Sequence, residues 1–324
     1  MKSNTLVTGA SGVLGSALKK IISNKKTLKK NFIFISSKEL NLLNSKDTYK
    51  FFKKKKIKNI IHLAAVSGGM GVSGKNFQAK MFRDNLQMFL NILEVSKNLK
   101  IKKILLTLSS GMYSPNLKMP YKEETIHDGK AHQALYGYFY AKRMMEPAIN
   151  AYRDQYKMNI IGLVPNGIFG ENDNFNILSA PLVPSLINKF WEAKVKNETV
   201  EIWGDGRSLR EWTYAPDMAK AFLWCFKNYN KKEIINVGTN EENPIKKIAF
   251  LIADIMKVKK DKIVFNKSKK SGVFRKSMDN SKFLKISKFK FTKFREALVK
   301  TIHWYEYNKK FFPDKIKSYS RVRN

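Results

Sequence analysis

The stretch that most restricts what this chain can fold into lies within its first fifteen residues. Thr5-Leu6-Val7-Thr8 reads as a short buried strand. Gly9-Ala10-Ser11-Gly12-Val13-Leu14-Gly15 follows at once, and Ser16 to Ile22 carries helical periodicity. Strand, glycine loop and helix in that order form the context in which a glycine pattern becomes a dinucleotide site. Gly9 permits the tight turn, Gly12 lets backbone amides approach a pyrophosphate, and Gly15 lets helix and strand pack closely. The helix N-terminus adds partial positive charge where phosphates would sit. Ser11, Val13 and Leu14 complete the loop as cofactor-binding candidates. A glycine-rich turn without a ligand is the simpler alternative, and the agreement of spacing with context favours the cofactor.

A second signal lies far downstream. Tyr138 and Lys142 are four residues apart in a helical stretch, so a phenol and an ammonium share a face. A neighbouring cation favours the phenolate and lowers the phenol pKa, which suits Tyr138 to proton transfer near neutral pH. In isolation the pair describes an ordinary helix with one wet face. With the Gly-x-x-Gly-x-x-Gly loop it resembles the short-chain dehydrogenase/reductase superfamily, in its extended branch acting on nucleotide sugars.

That resemblance implies further roles. Ser109, at the carboxyl end of the strand Ile104–Leu108, is the third catalytic residue, with Ser110 beside it as a substrate contact. Leu63-Ala64-Ala65, closing a strand that starts at Asn59, leaves room beside the cofactor. Pro165, Asn166 and Ile168 belong to the loop along the nicotinamide, and Asn85 is the asparagine these enzymes carry on the following helix. The helix from Arg83 to Lys97, with Leu86, Leu90 and Leu93 on one face, and the helix holding Tyr138 form a homodimer interface in such enzymes. His62 reads as a packed strand histidine. The expected fold is α/β, a doubly wound parallel sheet (Rossmann) with a smaller α/β substrate domain. The division is 1–165 for the dinucleotide and 166–324 for the nucleotide sugar, with part of about 212–240 returning to the first.

After the second strand, Asn31–Ile35, an acidic residue would hold the ribose 2′-hydroxyl of NAD. Ser36 and Lys38 stand there instead, and a hydroxyl with an ammonium suits the 2′-phosphate of NADP. Glu39 is close enough to keep NAD as the less favoured alternative.

Composition bounds the rest. The 324 residues suffice for one large or two modest domains. No apolar run is long enough to cross a bilayer, and the first strand leaves no room for a signal peptide. Cys225 is the only cysteine, in an apolar helix face, so a disulfide framework and a cysteine-based metal site are excluded and a cytoplasmic setting is favoured. No metal-ligand cluster or internal repeat is visible. The formal net charge of +36 is a lysine excess scattered along the chain. Base readout and phosphate forks favour arginine, so solvated lysine faces explain the charge better than nucleic-acid binding. Such a field still attracts anionic substrates.

From about residue 4 to 305 the match narrows to the GDP-L-fucose synthase family, the GDP-4-keto-6-deoxymannose epimerase-reductases. The similarity rests on Val66-Ser67-Gly68-Gly69-Met70, Asn174-Phe175, Val183-Pro184, Lys189-Phe190, Trp203-Gly204-Asp205-Gly206, Arg210-Glu211-Trp212 and Arg275-Lys276-Ser277-Met278-Asp279. It makes Asn174, Lys189, Trp203, Arg210 and Asp279 substrate-binding candidates. Lys189 and Arg210 suit a diphosphate, and Trp203 suits stacking on a base or sugar.

Two positions depart from the family. Its epimerase cysteine, two residues after the catalytic serine, is Gly111 here. Its histidine before Val-Pro is Pro181. Removing a proton beside a ketone and returning one to the other face needs two acid/base groups, and neither residue supplies one. His132 or His127, just ahead of Tyr138, is placed by sequence either in the pocket or, as the preferred reading, in a surface loop. The expectation is an NADPH-dependent C4 reductase of a nucleotide-linked, GDP-type 4-keto-6-deoxy-hexose or heptose that lacks the epimerase step. A full GDP-L-fucose synthase, an NAD-dependent 4-epimerase or dehydratase, and a non-enzymatic binding protein on the same scaffold are the alternatives.

Overall fold

The computed structural model describes residues 4–25, 29–68, 77–269 and 272–316. From the N-terminus run β1 (Asn4–Thr8), α1 (Val13–Ser23), β2 (Phe32–Phe34), α2 (Ser45–Lys54), β3 (Ile57–His62), α3 (Gln78–Asn98), β4 (Lys103–Thr107), α4 (Tyr136–Arg143), α5 (Met145–Tyr156) and β5 (Ile160–Pro165). The later part comprises β6 (Gly167–Phe169), α6 (Leu182–Lys196), β7 (Val200–Trp203), β8 (Leu209–Tyr214), α7 (Ala215–Asn228), β9 (Ile235–Val237), β10 (Glu242–Pro244), α8 (Ile245–Met256), β11 (Ile263–Asn266), β12 (Arg275–Lys276), α9 (Ser281–Ser287) and α10 (Phe294–Phe311).

Strands that are apolar on both faces need cover on both faces, which parallel strands with helical crossovers provide. The main sheet runs β2-β1-β3-β4-β5-β9, every pair parallel. Leu6, Ile60, Leu106 and Val164 turn to the side of α3 and α5, where Phe89, Ile92 and Ile149 are buried. Val7, Ile61, Leu105 and Leu163 turn to α1 and α7, against Leu18, Phe222 and Cys225. This is the expected doubly wound sheet. The order reverses direction between β1 and β3, and ligands bind at such switch points beyond the strands' carboxyl ends.

Elements β6, α6, β7, β8, α8, β11 and α10 contribute to a separate apolar cluster that includes Phe175, Ile187, Phe190, Ile252, Leu298 and Tyr305, while α9 packs through Phe283 with the α1 and α7 side of the main sheet. There β8 pairs antiparallel with β10 and parallel with β12 and β6, while β11 pairs parallel with β7. The strand expected at Asn59–Ala65 ends at His62, because the amides of Leu63 and Ala64 turn to the Thr8 hydroxyl at 3.2 Å each rather than to a neighbouring strand. The apolar stripe on α3 is also rotated. Leu93 is buried but Leu90 is exposed, and the covered face runs through Met81, Asn85, Met88, Phe89 and Ile92. Of the Val66-Ser67-Gly68-Gly69-Met70 stretch, Gly69 and Met70 fall outside the described residues.

Candidate active site

The glycine loop is shaped by close packing. Gly9 has φ +68°, in the left-handed region, and a Cβ there would lie 2.7 Å from the Ala64 amide nitrogen. A Cβ on Gly15 would lie 2.3 Å from the Gly9 carbonyl oxygen. Gly12 differs, since its Cβ would meet no atom of the protein closer than 3.4 Å. The space a side chain would fill there is open, as a pyrophosphate approaching the amides requires. The first turn of α1, which begins with Val13 and Leu14, has no side-chain cap and no acidic residue. These residues therefore fit a dinucleotide phosphate.

The Ala10 amide donates to the Ile35 carbonyl at 3.0 Å, which brings Ser36 beside the loop. Glu39 folds back to accept from the Ser36 amide at 2.7 Å and from its hydroxyl. Those hydrogen bonds hold the Glu39 carboxyl below the usual range. Lys38 is exposed, and its amide donates to Ser36 Oγ at 3.3 Å.

Between the loop and the next strand lies the Thr8–His62 contact. Thr8 Oγ1 accepts from the amides of Leu63 and Ala64, so its own hydrogen goes to His62 Nδ1, 2.8 Å away. His62 is buried, and burial together with the charge of Lys142 holds it neutral, pushed down to about 3. Asn85 staples α3 to the segment beyond: it accepts from the Val66 amide at 3.0 Å and donates to the Val66 carbonyl at 2.8 Å. Ala65, just before that segment, is exposed.

Helix α4 is fixed on three sides. Gln78 Oε1 accepts from the Gly137 amide at 3.0 Å, and Gln78 Nε2 donates to the Ala134 carbonyl at 3.2 Å. Arg143 donates through Nε to the Met112 carbonyl at 3.0 Å and through Nη1 to the Gly129 carbonyl at 2.8 Å. Lys142 donates to the Thr107 carbonyl at 2.7 Å, at the carboxyl end of β4. Its ammonium lies 5.8 Å from the centre of the Tyr138 ring, so the sequence pair is brought together. Lys142 is 1 % exposed, and burial pushes it down to about 7. Tyr138 packs beside Met81 and Leu135. Ser109 is half-buried two residues beyond Thr107, its Oγ accepting from the Gly111 amide at 3.3 Å, and Ser110 is buried.

Across the sheet edge, Pro165 ends β5 and Asn166 accepts from the Thr213 hydroxyl at 2.7 Å while donating to the Thr239 carbonyl at 3.1 Å. Ile168 packs among the residues covering α1.

The substrate candidates fall into separate groups. Lys189 Nζ lies 5.9 Å over the Trp203 ring and donates to the Glu201 carbonyl at 3.0 Å. Trp203 is half exposed, and burial lowers the Lys189 pKa. Arg210 donates to the carbonyls of Leu209 and Val273, each at 2.7 Å, and burial lowers its pKa. Asn174 has no exposed surface, and its amide donates to Ser179 Oγ at 3.0 Å, inside its own loop. Asp279 accepts from the Ser281 amide at 2.9 Å at the start of α9.

Three residues enter the site without having been singled out. Gln78 and Arg143 clamp α4, and Phe139 covers Gly111. A Cβ on Gly111 would lie 1.9 Å from Phe139 Cε1. The ring has Lys276 Nζ 5.9 Å from its centre and the His132 ring 6.1 Å away, edge-on. His127 pairs with Glu146 at 2.8 Å on the surface, as expected of a loop histidine. His132 takes the other of the two readings, since it lines a cavity of about 630 Å³ together with Gly204, Asp205 and Lys267.

A doubly wound sheet carrying a glycine loop, with a buried lysine one turn beyond a tyrosine at the strand ends, is the arrangement of the extended short-chain dehydrogenase/reductases. The chain belongs to the NAD dependent epimerase/dehydratase family, whose profile matches residues 5–238. It is 32% identical over 309 residues to a GDP-L-fucose synthase of Dictyostelium discoideum, covering 94% of this chain and 95% of that protein. The crystal structure of a GDP-L-fucose synthetase from Naegleria fowleri bound to NADP superposes with a TM-score of 0.88 at 28% identity, covering 96% of each chain. A GDP-mannoheptose C4 reductase from Campylobacter jejuni with NADP bound gives 0.83 at 26%, covering 94% of this chain and 99% of that one.

Proposed function

We propose that this enzyme reduces the C4 ketone of a nucleotide-linked 4-keto-6-deoxy-hexose or related heptose, carried on GDP, with NADPH as reductant and without the 3,5-epimerase step. The names of its relatives support a GDP-sugar and NADP. The packing of Phe139 on Gly111 carries the finer claim. It fills the place where the family's acid/base side chain would stand, and Pro181 at the start of α6 offers no second one.

The glycine loop and the Ser36–Lys38 turn would hold NADPH, which would supply hydride for reduction at C4. Tyr138 gives its hydroxyl proton to the ketone oxygen as the new C–H bond forms. Lys142 favours the resulting phenolate and holds the nicotinamide ribose. Ser109 donates a hydrogen bond to the reacting oxygen. The Gln78 and Arg143 contacts keep Tyr138 in register with Ser109. Lys189 with Trp203, and Arg210, face the nucleotide part, while Asn174 and Asp279 shape the loops around it.

The same proposal divides the chain near residue 165 into dinucleotide and sugar halves, with about 212–240 returning to the first. It includes a cytoplasmic homodimer. Phe82, Leu90 and Tyr136 expose apolar surface on α3 and α4, beside a cavity of about 380 Å³ lined by Gln78, Phe82 and Tyr140. Among the described residues no helix is long and apolar enough to cross a membrane.

The test is NADPH oxidation with GDP-4-keto-6-deoxymannose in deuterated water. Turnover is expected with no deuterium at C3 or C5, and deuterium at either carbon would refute the loss of epimerisation. Tyr138→Phe should cut turnover by about 10²–10⁴-fold while NADPH still binds. Undiminished turnover by that variant would sink the assignment of Tyr138.

A further inference from the structure

We propose that His132 is a substrate-binding residue, whose imidazole presents a fixed Nε2–H donor to a hydroxyl oxygen of the nucleotide-linked sugar. This rests on the nucleotide-sugar function proposed above. His132 Nδ1 accepts from the Ala134 amide at 3.1 Å, which engages the Nδ1 lone pair. In the neutral ring the hydrogen must then sit on Nε2. Among the described residues no acceptor takes it, although the ring borders the cavity shared with Asp205, Ser208, Lys267 and Lys269.

The position is close to the chemistry. The His132 amide donates to the Gly111 carbonyl at 3.4 Å, two residues past Ser109, and the ring meets Phe139, the neighbour of Tyr138, edge-on at 83°. The side chain therefore borders the sugar end of the cleft. Burial, reinforced by Lys276 and Arg210, holds the imidazole below its usual pKa and so neutral. Protonating Nδ1 would also break the bond to Ala134. The ring can donate but is poorly placed to shuttle a proton, which separates this role from the acid/base pair that Gly111 and Pro181 lack. A donor aimed at one oxygen discriminates strongly against sugars without it, because it is left unpaired when that oxygen is missing.

Two substitutions separate donor from structural support. His132→Asn keeps an acceptor for the Ala134 amide but draws the outward N–H back. His132→Gln reaches the Nε2 position with an N–H but gives up the cap. Binding of GDP and of GDP-mannose to the full-length, NADP⁺-loaded enzyme is measured by calorimetry. His132→Asn should lose about fivefold in GDP-mannose affinity with GDP affinity unchanged, and His132→Gln should retain most of it. The inference is overturned if His132→Asn binds GDP-mannose like the wild type. A parallel loss for GDP would also overturn it, since the contact would then be to phosphate. If wild-type enzyme fails to bind GDP at all, the nucleotide-sugar function itself falls, and this assignment with it.

Discussion

Phe139 and Gly111, far apart in sequence, occupy one volume: the ring edge of Phe139 stands where the first side-chain carbon of any other residue at 111 would have to be. Neither residue can be changed freely without the other. Gly111→Cys alone should destabilise the protein by about 1–3 kcal/mol through overpacking. Combining it with Phe139→Ser, which removes the ring, should restore most of that loss. Thermal unfolding of the three proteins checks this, and a fully stable single variant would mean that the ring has somewhere else to go.

Lys142 should make stability depend on pH in a definite direction. Its folded pKa near 7 lies below the ordinary ammonium value, so between pH 7 and about 10 the unfolded chain binds the extra proton and stability rises with pH. Below pH 7 the full cost of burying the charge remains. Against Lys142→Met, which buries no charge, cofactor-free wild type should be the less stable at pH 6, and the gap should narrow or reverse by pH 9. Comparing the two proteins removes the contribution of the general positive charge. A gap that is constant across that range would contradict the burial argument.

Cofactor preference should turn on Ser36 and Glu39. Glu39 engages the Ser36 amide and hydroxyl, and its charge opposes a 2′-phosphate. Glu39→Gln should lower KM for NADPH by about threefold or more and change KM for NADH little. Ser36→Ala should raise KM for NADPH selectively. Steady-state kinetics with both reductants decides, and equal effects on the two would dissociate this turn from the 2′-position.

A methyl group at 137 should be enough to disturb the site. The Cβ of Gly137→Ala would lie 2.1 Å from the Gln78 carbonyl oxygen, forcing α4 away from the end of α3. Turnover should fall together with a loss of about 1–3 kcal/mol in stability. Unchanged activity and melting would show that the two helices can separate without displacing Tyr138.

What the sequence made legible is what local spacing controls. Gly9, Gly12 and Gly15 lie within one turn, and Tyr138 and Lys142 are one helical turn apart, so their relation survives without knowledge of the fold. Contacts between distant segments were not legible. Nothing near Phe139 says that it covers Gly111, and nothing near Gln78 says that it clamps Gly137. Nothing local says which of His127 and His132 reaches a pocket, until Lys267 and its neighbours close a cavity around His132. The setting of Arg210 was not legible either: its guanidinium is positioned by the carbonyls of Leu209 and Val273, and the second of these lies 63 residues away.

The last strand of the main sheet has a consequence for how the polypeptide matures. β9 pairs with Leu163–Pro165 but is synthesised only after β6, β7 and β8 have left the ribosome. Until then the growing molecule carries an open flank of unpaired peptide groups beside Leu163 and Val164, a template for joining another chain. Halting translation or cutting the chain shortly after residue 165 should therefore yield aggregates rather than a soluble half-protein.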